Sequence, residues 1–513
     1  MMYEGKKYVL AMYDVRGKQE YIFRNNHIKE IVGASAIIRD IFEDSLFDAA
    51  VEVRGNEDAL PAIYSYRRES ESSFNTNLFK ERMDGDQYIG EVVYDGGGNF
   101  FVLYKNEEVC KLVNKIFTKK VIEKTYSLKV LCTYVEIDDF SDYKGDRDRL
   151  YKKHRSIEAH ESASVPAQVF PFTKVDYMTS MPLYKNIIIT RNDGKKEERA
   201  VTRESYAKYK KYELEYKKNK DEFGEVFLDN LVKEKGVDSH LAIIYIDGNG
   251  MGAKVQDCIA DKKDYESCVN SLREFSDSIQ KDYVTDRKND IEKYLEKKYE
   301  HEEDRKKSRF IVFAGDEINF ICNAFDAKDI IKVYFDGLKD KGSACAGVAI
   351  FHSHAPYYEA YRIAEECCES GKIRMKDMKC EEANFVDFHY CQSGIGIDLE
   401  SIRETESEGI ISKPWYVGEI IDDRCICTQQ VEMLVEQLNK MARSNVKGLA
   451  EPAKKSISSL KMEWNRIRAH SSDETLLSFE ETKRMLKIED EEKLRNLIYD
   501  ITIVYDLWFA EKE

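Results

Sequence analysis

One order of predicted strands and helices, β-α-β-β-α-β, occurs twice along the chain, and this repetition limits the possible folds more than any other feature. The first copy ends its opening strand at Asp14, and a hairpin crosses the glycine-rich residues 95–98. Its elements are, in order, a strand at 7–14, helical spacing at 19–50, strands at 88–94 and 99–104, a helix at 107–124 and a strand at 128–137. This order is that of the ferredoxin-like split unit.

The second copy repeats that order with a hairpin around residues 314–317. Its elements are a strand at 240–247, a charged helical stretch at 265–299, hairpin strands at 309–313 and 318–322, a helix at 327–339, a strand at 344–352 and a helix at 356–372. The predicted class is therefore α+β, with two ferredoxin-like domains.

The rest of the chain predicts two further parts. A polar stretch between the copies contains a hairpin near 184–190 and a charged helix at 202–218, and helical periodicity fills the C-terminal region from about 428 onward. We therefore expect a C-terminal α-helical bundle. The predicted boundaries are a first domain at 1–141, a connector or small domain at 142–238, a second domain at 239–400 and a helical domain at 401–513.

Composition excludes several classes of protein. The 513 residues include no apolar run near the ~20 residues that span a bilayer, and the N-terminus has no signal-peptide pattern. The 12 cysteines include no C-x-x-C pair, so neither a disulfide framework nor a zinc site is expected. We expect a cytoplasmic protein without membrane partners. A formal net charge of -16 disfavours indiscriminate binding to nucleic acid, although a local basic groove remains compatible with it.

Three carboxylates are predicted to meet at one end of the second sheet. Asp247 ends a strand and begins the glycine-rich sequence DGNGMG at 247–252, while the neighbouring hairpin carries Asp316 and Glu317 after Gly315. Each feature alone is typical of an ordinary turn. Together, in one β-α-β-β-α-β unit, they predict a site for Mg²⁺ or Mn²⁺ that binds a nucleoside triphosphate, with glycines that let the backbone approach phosphates.

These motifs resemble those of a known family. The sequence FAGDEI at 313–318 resembles the GGDD hairpin of the large subunit of type III CRISPR effector complexes, the palm-containing polymerase-cyclase called Cas ten, and also the GGDEF hairpin of diguanylate cyclases. DGNGMG at 247–252 resembles the D-G-D-x-M-G turn of the CRISPR subunit. CAGVAI at 345–350, with Lys372 downstream, is similar to the last strand and helix that both groups share.

The N-terminal copy favours the CRISPR subunit over the diguanylate cyclases. DVRGKQEYIF at 14–23 and IVGAS at 31–35 are similar to the start of its first palm domain, and diguanylate cyclases have no counterpart. The hairpin GGGN at 96–99 has no carboxylate pair, as is typical of first palms in this family. The resemblance implies that this degenerate palm forms a second nucleotide pocket across the palm–palm interface, with Gly96, Gly97 and Gly98 at the pocket.

The resemblance also implies an activity. Asp247, Asp316 and Glu317 would be catalytic and would hold two Mg²⁺ or Mn²⁺ ions. ATP would be converted to cyclic oligoadenylate, a second messenger in antiviral defence. The chain would work beside guide RNA and other effector subunits. The remaining nucleotide contacts would come from Gly248, Asn249, Gly250, Gly252, Ala314, Gly315 and Lys372.

Two modules usual in the family are not expected here. An HD nuclease needs a His-Asp dipeptide, which does not occur in the sequence, and the segment at 172–183 has the general look of the family's zinc-binding segment but no cysteine. We therefore expect neither DNA cleavage nor zinc.

Three departures keep alternatives open. Ala314 and Glu317 replace a Gly and an Asp of the hairpin, and Asn249 replaces the second Asp of the turn. One alternative is a scaffold subunit of an RNA-guided effector with weak or no catalysis. Another is a diguanylate-cyclase-like enzyme, because Asp316-Glu317 resembles GGDEF more than GGDD. Residues 208–220, with Tyr among Lys, predict either a solvated linker helix or a nucleic-acid contact.

Overall fold

The computed structural model describes residues 7–25, 27–55, 60–69, 72–96, 98–160, 170–190, 195–218, 228, 231–234, 236–299, 308–380, 382–392, 398–420, 424–471 and 473–510. The chain divides into two compact units, of which the first comprises Met1–Val226 and Met251–Lys281 and the second comprises Phe227–Gly250 and Asp282–Glu513. Each unit has a main β-sheet with helices, so the α+β class is confirmed. The division into four domains stays a prediction.

The first unit contains seven strands and nine helices among its described residues. Its strands are β1 (Tyr8–Arg16), β2 (Ile63–Tyr64), β3 (Gly90–Gly96), β4 (Asn99–Tyr104), β5 (Lys129–Ile137), β6 (Leu183–Thr190) and β7 (Lys196–Thr202). Its helices are α1 (Lys18–Ile22), α2 (Ile28–Ile41), α3 (Phe47–Arg54), α4 (Thr76–Asp84), α5 (Glu107–Thr125), α6 (Tyr143–Ala159), α7 (Arg203–Lys218), α8 (Met251–Ala260) and α9 (Tyr265–Ile279). A π-helical segment, Phe42–Leu46, joins α2 to α3.

The main sheet of this unit has the strand order β2-β3-β4-β1-β5. Strand β1 is antiparallel to both β4 and β5, and its apolar residues from Val9 to Tyr13 are buried. The predicted elements of the first copy are all present. Strand β2 and helix α4 lie between the helical stretch and the hairpin of the first copy, where the sequence predicts no element. Strand β2 has only two residues, and α4 buries only Phe79 and Met83.

Helix α7 has one packed face and one exposed face. It packs against α2, where Gly33 allows close approach because a Cβ there would overlap the carbonyl oxygen of Lys208. Lys208 is buried and its Nζ donates to Oε1 of Glu204 at 2.5 Å, while Tyr209 and Tyr212 are also buried. Part of the alternation of Tyr and Lys is therefore a packing pattern, whereas Lys210 is 51% exposed, and both alternatives for residues 208–220 stay predictions.

The second unit contains six strands and ten helices among its described residues. Its strands are β8 (His240–Gly248), β9 (Ser308–Ala314), β10 (Glu317–Asn323), β11 (Ala344–His352), β12 (Phe385–Tyr390) and β13 (Trp415–Tyr416). Its helices are α10 (Asp286–Lys298), α11 (Ala327–Leu338), α12 (Tyr357–Met378), α13 (Leu399–Ser407), α14 (Thr428–Leu438), α15 (Arg443–Gly448), α16 (Ala450–Lys455), α17 (Ile457–His470), α18 (Phe479–Met485) and α19 (Glu491–Trp508). The C-terminal region is helical, as expected.

The sheet of the second unit has the order β13-β12-β11-β8-β10-β9. Strand β8 is central and antiparallel to both β10 and β11, while β12 runs parallel to β11. The predicted helical stretch at 265–299 is interrupted by a π-helical segment at Gln280–Thr285, and the boundary between the two units falls within that segment. Helix α9 belongs to the first unit, where Tyr265, Val269 and Leu272 join the core.

None of the helices in the described ranges is long and apolar enough to cross a membrane.

Candidate functional site

Strand β8 delivers Asp247 to the edge of the second sheet. Residues Leu241 to Ile244 and Ile246 are fully buried, so an apolar run carries the strand through the core and Asp247 comes just before its last residue. Asp247 lies directly opposite Glu317 of β10 and Cys345 of β11. Because side chains directly opposite each other in an antiparallel pair share one face, Asp247 and Glu317 lie on the same face of the sheet.

The hairpin between β9 and β10 has a two-residue loop, Gly315-Asp316, since Ala314 pairs with Glu317. Gly315 has φ +68, in the left-handed region that glycine adopts without steric cost. Ala314 is the last residue of β9 and needs no such conformation. The replacement of the first Gly of the family hairpin by Ala314 therefore falls on an extended backbone position that any residue can adopt.

Asp316 and Asp247 interact electrostatically. Burial and the charge of Asp247 raise the pKa of Asp316 from its ordinary value to about 7, and the positive charge of Lys372 acts in the opposite direction. Two carboxylates that cannot easily ionise together leave this end of the sheet in need of positive charge. A metal ion, a lysine or a proton can supply it.

Lys372 supplies part of that charge. Its Nζ donates to Oδ2 of Asp247 in a close ion pair. Burial lowers the pKa of Lys372, but the ion pair with Asp247 outweighs burial and the net pKa is raised. Lys372 therefore keeps its positive charge beside Asp247.

The position of Lys372 depends on close contact between helix α12 and the sheet. A Cβ at Gly347 of β11 would overlap the carbonyl oxygen of Ala364 and the amide nitrogen of Cys368, both on α12. A Cβ at Gly371 would come within 3.1 Å of the Cβ of Phe385 and 3.3 Å of the Cβ of Cys345. These two glycines let the helix lie flat on β11 and β12, and Lys372 follows directly in the chain.

The turn after Asp247 is held by buried hydrogen bonds of Asn249. This side chain is 1% exposed, and its Nδ2 donates to the carbonyl oxygen of Ala383 at 2.9 Å. Its backbone N–H donates to the carbonyl oxygen of Ser343 at 2.9 Å. Asn249 thus anchors the turn to the neighbouring loops, a contact that an ionised aspartate could not make because it has no N–H to donate.

The other predicted turn glycines occupy varied backbone positions. Gly248 is the last residue of β8, and Gly250 has φ +66. Gly252 lies in the first turn of α8, and a Cβ there would meet no atom within 4 Å.

The corresponding end of the first sheet has a different chemistry. Asp14 of β1 lies opposite Asn99, in the register that Asp247 has with Glu317. Oδ2 of Asp14 accepts from Arg16 at 3.0 Å and lies 3.5 Å from Nε2 of His154. The carboxylate is thus already neutralised, and its partner across the hairpin is an amide.

The predicted first-unit glycines lie at that same hairpin. Gly96 ends β3 and Gly98 has φ +79, with the ammonium group of Lys18 where a Cβ of Gly98 would be. Gly97 is outside the described residues.

One residue near the carboxylates was not predicted. Tyr245 precedes Asp247 by two positions on β8 and therefore shares its face. Its pKa is raised by burial and by the charge of Glu317, and its ring contacts that of Tyr361 with a centroid distance of 5.7 Å. The alternation of strand residues is the signal that could have identified it.

The described residues contain no group of three or more His, Cys, Asp or Glu side chains placed to hold a metal ion. The site as it stands consists of an interacting Asp247–Asp316 pair, Glu317 opposite Asp247 in register, and the Lys372 ammonium group.

Comparison with known proteins shows a fold match. No protein-family model matches the sequence, and no curated protein matches it significantly. A Csm1-Csm4 cassette in complex with pppApApA matches with a TM-score of 0.50 and 12% identity, covering 97% of this chain and 69% of that chain. The same cassette with cA4 has a TM-score of 0.49 at 12% identity, covering 97% and 70%. Csm1 of T. onnurineus has a TM-score of 0.47 at 14% identity, covering 97% and 69%.

The chain therefore has the fold of Csm1, and the resemblance to the large subunit of type III CRISPR complexes is confirmed at the level of the fold.

Proposed function

We propose that this protein is a nucleotidyltransferase that makes cyclic oligonucleotides at the site of the second unit. The observation that carries the proposal is the register of β8 and β10. It sets Glu317 opposite Asp247, with Asp316 in the two-residue loop beside them and Lys372 against Asp247. Carboxylates and a lysine at one sheet edge are the groups that phosphoryl transfer uses for charge neutralisation and positioning.

The strand order supports reading both sheets as ferredoxin-like palms. In the first unit, the first strand, β1, is antiparallel to both of its neighbours, β4 and β5. In the second unit, β8 is antiparallel to its neighbours β10 and β11 in the same way. We propose one active palm and one degenerate palm. The neutralised Asp14 and the Asn99 hairpin support the degenerate assignment.

The carboxylates suit divalent cations. Mg²⁺ commonly uses one or two carboxylates together with substrate phosphates and water, so a protein cluster of three is not required. Asp247, Asp316 and Glu317 would hold two Mg²⁺ or Mn²⁺ ions, and the raised pKa of Asp316 supports a need for positive charge there. Such ions would neutralise the charge of the triphosphate and lower the pKa of an attacking hydroxyl group.

The residues of the chain would then act on the triphosphate directly. Lys372 would exchange its partner Asp247 for phosphate oxygens and neutralise the charge that develops on the leaving pyrophosphate. Gly248, Gly250 and Gly315 would leave room for backbone approach to phosphates, and Asn249 would hold the turn in position. A 3′-hydroxyl of one nucleotide would attack the α-phosphorus of the next and lose its proton to water. A phosphodiester bond would form as the α–β phosphoanhydride bond breaks and releases pyrophosphate.

We propose ATP as the substrate and cyclic oligoadenylate as the product. The structural match bound to pppApApA, a linear triadenylate, supports adenine. The matched cassette also pairs Csm1 with Csm4, which supports a partnership with other effector subunits. A role in antiviral defence, guide RNA as a partner and a cytoplasmic location stay predictions.

The direct test incubates purified protein with each radiolabelled nucleoside triphosphate and Mg²⁺ or Mn²⁺, and resolves products by chromatography and mass. We expect cyclic adenylates that disappear in an Asp316→Ala, Glu317→Ala double variant and persist in an Asp336→Ala, Glu369→Ala variant, which removes two carboxylates from helices α11 and α12. A cyclic guanosine product would support the diguanylate-cyclase-like alternative instead.

A scaffold role is the second candidate. It is favoured by the ion pair that Lys372 makes with Asp247, which occupies one predicted metal ligand. No product from any triphosphate, with guide RNA and complementary target added, would favour the scaffold over the enzyme.

A further inference from the structure

A cavity of about 900 Å³ lies in the second unit, between the sheet and the C-terminal helices. It is lined by His240 of β8 and His389 of β12 and by residues of α13, α15, α16 and α19. His240 begins β8 and Asp247 lies near its end, so the rise per residue of a strand separates them by about 23 Å. The cavity is therefore distinct from the carboxylate site.

One wall of the cavity carries basic side chains together with the carboxylates of Glu451 and Asp506. Nε of Arg443 lies 2.6 Å from Oδ1 of Asp506, and Nζ of Lys447 lies 2.8 Å from Oδ2 of the same carboxylate. Both cations therefore form ion pairs with the carboxylate of Asp506. Their side chains are 67% and 57% exposed, so both can also bind a ligand. Lys454, on the next helix, donates to the backbone carbonyl of Glu406 at 2.8 Å.

The other wall offers hydrogen-bonding groups that are buried. His389 is 6% exposed, and its Nε2 lies 3.3 Å from Oε2 of Glu406 without the geometry of a hydrogen bond. Burial lowers the pKa of His389 below its ordinary value, and the neighbouring Glu406 acts in the opposite direction. A buried polar atom without a hydrogen bond is costly, and a ligand that supplies the missing bond would bind favourably there.

We propose that this cavity binds an organic phosphate of nucleotide size, with its phosphate at Arg443 and Lys447 and its ring toward Glu406 and His389. The volume lies within the range of small-molecule sites. A guanidinium group and an ammonium group on one side suit a phosphate. A carboxylate and an imidazole on the other suit a ring that carries an amino group. Tyr390 and Tyr499 also line the cavity, and their aromatic side chains suit contact with such a ring.

Binding is tested with AMP as the probe, in EDTA and in the Asp316→Ala, Glu317→Ala background, so that the result does not depend on the proposed catalytic site. Isothermal titration of the full chain is compared for AMP, inorganic phosphate and adenosine. We expect AMP to bind at least about tenfold more tightly than either part alone.

Two variants locate the binding. Arg443→Gln with Lys447→Gln removes the phosphate contacts, and Ala450→Phe fills the cavity without removing a charge. Both should weaken AMP binding at least about tenfold. The matched control is Lys119→Gln with Lys332→Gln, which removes two exposed lysines that also have carboxylate partners, Glu123 and Asp336.

AMP binding that the Ala450→Phe variant leaves unchanged would overturn the proposal, as would the absence of saturable AMP binding by the folded parent protein. Equal affinity for phosphate alone would overturn the assignment of the ring. Circular dichroism and thermal unfolding of each variant separate a lost contact from a lost fold.

Discussion

Lys372 of helix α12 forms an ion pair with Asp247 at the end of strand β8, although the two residues are 125 positions apart in the sequence. The pair joins the carboxylate to the helix through a side chain that a triphosphate would also attract. In the absence of substrate, Lys372 partly neutralises a site where Asp247 and Asp316 compete for positive charge.

The first prediction concerns that lysine. Lys372→Met should lower kcat/KM for cyclic adenylate formation about 100-fold, because a preorganised positive charge at the triphosphate is lost. Lys376→Met is the control, since that side chain is on the same helix and is 68% exposed. Initial rates of product formation measure both variants. Equal activity of the two variants would remove Lys372 from the site.

The second prediction concerns the pH dependence of stability. The pKa of Asp316 is raised to about 7 in the metal-free folded protein, above the ordinary value of 3.8. The folded state therefore holds this proton more tightly than the unfolded state does. Its contribution to stability is fully present below about pH 4 and is lost as the pH rises to about 7.

Asp316→Asn removes the ionisable group, so the variant does not lose this stability as the pH rises. In EDTA the variant should gain stability relative to the parent protein as the pH rises from 4 to 7, with a constant difference above that. Urea denaturation at pH 5 and pH 8 measures the difference, and Asp340→Asn is the control for an exposed aspartate. A difference that is the same at both values of pH would contradict the raised pKa.

The third prediction concerns Asn249, which departs from the family turn. Asn249→Asp restores the family's residue, yet it should destabilise the protein. A buried donor to the Ala383 carbonyl is replaced by an acceptor, at a cost of about 1–3 kcal/mol or more for the charged form. Urea denaturation measures this cost. Asn77→Asp is the control, because Asn77 is exposed in the first turn of α4, where a negative charge is favourable.

If Asn249→Asp is as stable as Asn77→Asp, the turn is not anchored by the amide. A rise in activity of the Asn249→Asp variant would show instead that the position acts as a ligand.

The fourth prediction concerns the contact between helix and sheet that positions Lys372. Gly347→Ala should destabilise the protein by about 1–3 kcal/mol or more, since its Cβ would overlap backbone atoms of α12. Gly448→Ala is the control, because a Cβ there meets no atom within 4 Å. Thermal unfolding measures the difference. Equal midpoints for the two variants would mean that α12 can move away from β11.

Much of the site follows from local sequence. The apolar run before Asp247 predicts a buried strand, and glycine at 315 predicts a tight hairpin, because both depend on residues that are neighbours in the chain. The two β-α-β-β-α-β orders are also local patterns. Lys372 was identified only through the family resemblance, since no local rule brings a residue on α12 to the end of β8.

Other features depend on which helices and strands pack against each other in the folded protein. The Lys and Tyr residues of α7 read as a solvated or nucleic-acid-binding face, yet Lys208 is buried against α2. The helical stretch at 265–299 was assigned to the second copy, yet α9, which forms its first part, belongs to the first unit. Periodicity identifies a helix and its apolar face, but it does not identify the surface that will cover that face.

The sequence by itself determined the secondary-structure elements, their order and the positions of three carboxylates, one near the end of a strand and two in the hairpin. Each of these follows from the spacing of residues that are close to one another in the chain. Tertiary structure alone decided that Lys372 neutralises Asp247 and that Asn249 is buried as an anchor. It also decided that Asp14 of the first unit forms an ion pair with Arg16. Charge and burial at a site are sums over groups that are distant in the chain, so only the folded arrangement can set them.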